Sequence, residues 1–194
     1  MSSAQGFVGN TGDNNAVTVT DAGSVWNIQG DLSVGFQGAA NQMAILNGGV
    51  VTDSSGAVGV FSSNNVVLVS GLGSTWNNQS SLFVGEATGG KSVTVTNSGE
   101  LFSGSVAFIG YTSTCTNNVV TVTGNGSVWR SGDIYVGVDG ASNVLDIIAD
   151  GGSVFVNSNI RISAATGSSA NQVNIQGGNL YVTNTGQNAL VCYW

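Results

Sequence analysis

The chain has no histidine and no proline, and only three of its 194 residues are basic. Without histidine, Ser-His-Asp and Cys-His catalysis are excluded, and so are the usual zinc sites. The three bases, Lys91, Arg130 and Arg161, lie far apart in sequence, so no basic patch forms and a nucleic-acid partner is not expected. Charged residues of both signs make up only 7% of the chain, against about 25% in typical soluble domains. Ten acids leave a net charge of −7, which argues against anionic partners. A hydrophobic share of 41% sets the chain apart from highly charged disordered sequences. No apolar run approaches the roughly 18 residues of a membrane span. The opening residues, Met1 to Gln5, have neither the charged nor the apolar region of a secretory signal. The chain is therefore either cytosolic or a piece of a longer exported protein, and its repeats favour the second.

What is present in quantity is glycine, with 30 residues, and short alternating segments. Segments beginning at Asn15, Asn41, Asn65, Lys91, Asn118, Asn143 and Asn171 align with one another, 24 to 28 residues apart. Asn15-Ala-Val-Thr-Val-Thr recurs as Lys91-Ser-Val-Thr-Val-Thr and Asn118-Val-Val-Thr-Val-Thr. The third and fifth positions are aliphatic or methionine throughout, from Val17/Val19 and Met43/Ile45 to Leu145/Ile147 and Val173/Ile175. The fourth and sixth are mostly polar. This period of two predicts a strand with one buried face.

A glycine turn and a second short strand follow. Gly23-Ser-Val-Trp26 recurs as Gly73-Ser-Thr-Trp76 and Gly126-Ser-Val-Trp129. Aligned on this motif, Val25, Val51, Thr75, Leu101, Val128, Val154 and Leu180 form one column, expected to point inward. The next column, Trp26, Trp76, Phe102, Trp129, Phe155 and Tyr181 with Thr52 as a gap, is then expected to point outward, with a tryptophan tucked into a corner as the alternative. A third strand closes the unit: Leu32-Ser-Val-Gly35 recurs as Leu82-Phe-Val-Gly85 and Ile134-Tyr-Val-Gly137. The closing glycine fits a corner that needs positive φ.

Three strands in each unit of about 25 residues predict an all-β fold, a right-handed parallel β-helix of about seven three-strand coils. It forms a single domain over residues 1–194. Coils stack at about 4.8 Å, and inward residues stack into ladders. The leading asparagine is expected in a left-handed corner, hydrogen-bonded to its copies above and below. An antiparallel sandwich also has short strands and glycine turns, but would not keep three strand types in register through seven copies.

The motif G-S-x-W followed by L/I-x-V-G, preceded by N-x-V-T-V-T, resembles the repeats of bacterial autotransporter passenger domains. The closest copies are Asn15–Gly35, Asn65–Gly85 and Asn118–Gly137, and looser ones fill the coils between. The resemblance implies a right-handed β-helix displayed at the bacterial outer surface, in most cases as an adhesin or stalk. It also implies host-surface or matrix glycans and proteins as partners. A passenger's export signal and translocator barrel are not in this sequence, so the chain is expected to be part of a longer array. Its exposed strand edges would favour end-to-end self-association.

No constellation for chemistry emerges from the residues. Asp31 and Asp133 share a repeat column but stand four coils apart, about 19 Å, too far for glycoside hydrolysis. Asp139, Asp146 and Asp150 are isolated, and Arg130 and Arg161 have no acidic cluster in their columns. Cys115 and Cys192 are three coils apart, about 14 Å, and are expected to be free thiols. Threonine rows such as Thr94/Thr96 and Thr121/Thr123 are too interrupted for an ice-binding lattice. The expectation is a non-enzymatic structural or adhesive segment with no metal and no cofactor. The alternatives are a carbohydrate-binding module using the aromatic column and, behind it, a polysaccharide-active enzyme.

Overall fold

In a computed structural model, which describes residues 1–184 and the backbone of 190–192, the chain is all-β. The architecture is a right-handed parallel β-helix of about seven coils. The first strands of the coils run from Ala16–Thr20, through Gln42–Leu46, Val66–Ser70, Ser92–Thr96, Val119–Thr123 and Val144–Ile148, to Gln172–Gln176. They pair in parallel, in chain order, as one seven-stranded sheet. The second and third strands line two further faces. In the fourth and fifth coils these two strands run together as Glu100–Ile109 and Val128–Val136, which joins their faces into one bent sheet. The register slips between Ser103 and Val106, where the strand turns the corner.

The first face follows the alternation in the sequence. Met43, Ile45, Val67, Val69, Val93, Val95, Val120, Val122, Leu145 and Ile147 are buried, while their neighbours along each strand face outward. Val17, Val19 and Val173 are only partly covered, and Ile175 is exposed. β-Branched side chains suit this arrangement, because each packs on its copy one coil away.

The second face departs from the expectation. Trp26, Trp76 and Trp129 are buried and point inward, and Val25, Thr75 and Val128 point outward. The register shows why. Trp76 pairs with Val51 below and Leu101 above, and Leu101 pairs with Trp129. In the tryptophan coils the corner before the second strand is one residue longer than in the Ile45–Val51 and Val95–Leu101 coils. A shift of one residue exchanges the two faces of a strand. The true inner column is Trp26, Val51, Trp76, Leu101, Trp129, Val154 and Leu180.

The third face complements that column. Its inner positions read Gly6, Leu32, Gly56, Leu82, Ala107, Ile134 and Ile160. Through the fifth coil, small residues stand in the coils that lack tryptophan. A Cβ at Gly56 would come within 2.6 Å of Trp76 Cζ2, and one at Gly6 within 3.0 Å of Trp26 Cζ2. The indole of one coil therefore lies over the glycine of the coil below. The packing unit up to the fifth coil is two coils.

The corner after the third strand repeats in every coil. Gly35, Gly85, Gly110 and Gly137 have φ between 73° and 84°. A Cβ at Gly35 would sit 2.2 Å from the Asn65 side chain, so the glycine supplies space as well as φ. Asn41 and Asn65 are fully buried, and the Asn41 backbone N–H donates to Asn65 Oδ1 at 2.9 Å. The same bond runs from Asn15 to Asn41, Asn118 to Asn143 and Asn143 to Asn171. The ladder forms as expected, but its asparagines are not the left-handed residues. Those are the residues just before them: Asn14, Ala40, Asn64, Gly90, Asn117, Ser142 and Ala170. The left-handed residue turns the chain, which lets the next asparagine enter the strand with its side chain inside the corner.

Candidate binding surface

The six aromatic positions expected as an outer ladder divide into two groups. Trp26, Trp76 and Trp129 belong to the core and form no part of an outer ladder. Phe102 and Tyr181 are exposed and Phe155 is half-buried, so these three face outward. Arg130 fills the position between Phe102 and Phe155, and its guanidinium lies 4.6 Å from the Phe155 ring centroid. Phe155 in turn stacks on Tyr181 at 4.7 Å. The result is a short stack with a built-in cation, not a stripe along the whole solenoid.

The buried tryptophans bring polar groups inside with them. Trp26 and Trp129 donate their indole N–H to Ser3 and Ser103, and Trp76 donates to Asp53 Oδ2 at 2.7 Å. Asp53, Asn78, Ser103 and Ser131 form a continuous buried polar column, one residue per coil. Asp53 Oδ1 and Asn78 Oδ1 are buried with no hydrogen-bond partner. Burial pushes the Asp53 carboxyl up from 3.8 to about 7; the Trp76 bond opposes this and the charge of Asp31 adds to it. This column lies inside the stack.

The serine of the G-S-x-W motif is structural as well. Ser74 is buried, accepts the Gly48 N–H at 3.0 Å and donates to Ser70 O at 2.7 Å. The motif therefore encodes a corner: a glycine at positive φ, a serine that ties two coils, and a tryptophan turned inward.

The third face carries an aromatic surface that the sequence alignment did not single out. Its outer column reads Phe7, Ser33, Ala57, Phe83, Phe108, Tyr135 and Arg161. From Phe83 upward the column is continuous: Phe83 stacks on Phe108 at 5.0 Å, Phe108 meets Tyr135 at 5.4 Å, and Arg161 lies 5.2 Å from Tyr135. Tyr111 packs edge-on against Phe108 from the neighbouring corner. Below Phe83, Ser33 and Ala57 leave a notch of about 420 Å³, lined also by Phe36, Phe61, Asp31 and Glu86. The signal was in the third-strand variation, where Leu32-Ser-Val, Leu82-Phe-Val and Ile134-Tyr-Val keep aliphatic inner residues and differ in kind only at the outward residue. A larger hollow, about 600 Å³, opens between Val17–Thr20 and Gly23–Trp26 and leads into the core at the lower end of the stack.

The remaining candidates stay apart. Asp31 and Asp133 do share a column, separated by Ser55, Ser81 and Val106. Among the described residues no three of His, Cys, Asp and Glu converge. Cys115 is a buried free thiol, and the Cys192 side chain lies outside the described residues. Among the described residues no helix is long and apolar enough to cross a membrane. No family model, curated protein or solved structure matches the chain.

Proposed function

We propose that the chain is a non-enzymatic structural segment, displayed outside the cell in the manner of an autotransporter passenger, that holds distance and presents side chains. The observation that carries this is the parallel pairing of each coil's strands with those of the next on all three faces. Every coil hydrogen-bonds to the next along the solenoid axis, and the asparagine ladder adds side-chain bonds in the same direction. Each coil contributes about 4.8 Å of length. Bending such a stack strains many bonds together, so it is stiff along the axis. The resemblance in the G-S-x-W and L/I-x-V-G repeats supplies the extracellular setting.

The test is protease shaving and antibody labelling of intact source cells. Accessibility without lysis is expected, and recovery solely from the cytosol overturns the proposal. Turnover of a polysaccharide by the purified chain would overturn its non-enzymatic part.

A further inference from the structure

The notch on the third face has an unusual lining for so plain a scaffold. Phe7 and Phe83 stand three coils apart in one outer column, a gap of about 14 Å bridged only by Ser33 and Ala57. One side wall is the pair Phe36 and Phe61, edge to face with centroids 5.5 Å apart. Phe61 is 58% exposed, so its ring stands up from the surface instead of lying on it. Carboxylates mark the two edges: Asp31 beside the strand that carries Ser33, and Glu86 directly above Val60 in the corner column. None of the three basic residues lines the notch.

We propose that this notch binds a compact alkylammonium cation, the headgroup type of choline, between Phe36, Phe61 and Phe83 and under the carboxylates of Asp31 and Glu86. Ring faces attract a cation through their quadrupole, and methylated ammonium loses little hydration on entering such a site. Farther up the column Arg161 lies over Tyr135, and on the second face Arg130 lies over Phe155. Elsewhere on this surface, then, aromatic rings already hold cations of the chain itself. In the notch the rings and the charge are present and that cation has to come from outside. Glu86 agrees with this: burial raises its carboxyl above the usual range. A cation nearby would reverse that desolvation cost.

The inference does not depend on where the chain is displayed. It is tested with the purified protein by calorimetry and by NMR of the aromatic resonances, using choline and its uncharged isostere 3,3-dimethylbutan-1-ol. Choline is expected to saturate at millimolar concentration or below, at least about tenfold tighter than the alcohol. Phe61→Ala is expected to weaken choline about tenfold, and Glu86→Gln severalfold with a loss of salt dependence. Phe102→Ala, on the second face, leaves binding unchanged. Equal affinity for the alcohol, no saturation by choline, or binding indifferent to Phe61→Ala would each overturn the proposal. Circular dichroism confirms that the Phe61 variant is folded, since this exposed ring contributes little to the core.

Discussion

Two columns run up the inside of this solenoid under different rules. On the second face the inner position alternates Trp26, Val51, Trp76, Leu101, Trp129, and the facing position on the third face alternates Gly6, Leu32, Gly56, Leu82, Ala107. In the corner after the third strand, asparagine returns in every coil except the one headed by Lys91. The first column is held by volume and the second by directional hydrogen bonds. Volume can be shared between neighbours, so a large side chain in one coil and a glycine in the next fill space as well as two of middle size. A hydrogen bond cannot be averaged that way. Each ladder asparagine must accept through its Oδ1 the backbone N–H of the coil below, so the residue has to recur coil by coil. Packing therefore permits a two-coil period where the ladder imposes a one-coil period.

The largest test is to empty the packed column. Trp76 is fully buried between Val51 and Leu101 and fills the space above Gly56. Trp76→Ala is expected to cost about 3–5 kcal/mol in urea unfolding. Trp76→Phe keeps most of the volume and should cost less, although it leaves Asp53 without its indole partner. If the alanine variant unfolds near the wild-type midpoint, Trp76 is not the support this packing implies.

Asp53 is the polar intruder in the packed region, and its signature is a pH dependence. Its folded pKa, raised to about 7 mainly by burial, lies above the value of 3.8 expected when unfolded. The unfolded chain therefore gives up this proton first. The neutral carboxyl's contribution is complete below pH 4 and is lost as pH rises through 7. The full difference is about 4 kcal/mol. Unfolding free energy should fall between pH 4 and pH 7 and level off above. In Asp53→Asn that slope should flatten. A wild-type profile that rises over the same interval would contradict the raised pKa. In the neutral state the hydroxyl can donate, which gives the buried Asp53 Oδ1 and Asn78 Oδ1 a way to satisfy each other.

Gly56→Ala tests whether large and small are coupled. The added Cβ would meet Asn78 Oδ1 at 1.9 Å and Trp76 Cζ2 at 2.6 Å, at a backbone φ that alanine accepts. A destabilisation of about 1–3 kcal/mol is expected. Combined with Trp76→Val, the alanine should cost less than it does alone, with a coupling of about 0.5–3 kcal/mol. Strict additivity would show that the alternation of Trp76 and Gly56 is incidental.

These two rules also explain what could be read from the sequence. The first-face strands, the corner glycines and the asparagine ladder repeat once per coil, so aligning single coils exposed them, and with them the fold. Trp76 and Gly56 belong to a two-coil period. A one-coil alignment placed Trp76 beside Thr52 and Phe102, whereas its true neighbours are Val51 and Leu101. The indoles were thus assigned to the outside, where Phe102, Phe155 and Tyr181 do stand. The notch escaped for a related reason. Phe36 and Phe61 lie in corners of differing composition, and only the folded coils bring them over Ser33 and Ala57.

The smallest expected effect concerns the one exception in the ladder. Lys91 is almost completely buried, and its ammonium donates to the backbone carbonyl and the hydroxyl of Thr88. Burial lowers its pKa from 10.5 to about 8, and the neighbouring Cys115 acts in the opposite direction. Its backbone N–H still donates to Asn118 Oδ1 at 3.1 Å, so the ladder continues upward. Lysine has no acceptor to offer the coil below, so the ladder stops above Asn65. The corner from Gly85 to Lys91 has the same length as those from Gly35 to Asn41 and from Gly59 to Asn65, so asparagine fits the position. Lys91→Asn should therefore extend the ladder from Asn65 to Asn118 and remove a buried charge. A gain of about 1 kcal/mol is expected, seen as a rise in Tm of about 2–4 °C. If Lys91→Asn destabilises the chain while Lys91→Met does not, the position answers to volume, as the tryptophan column does, and the distinction between the two columns fails there.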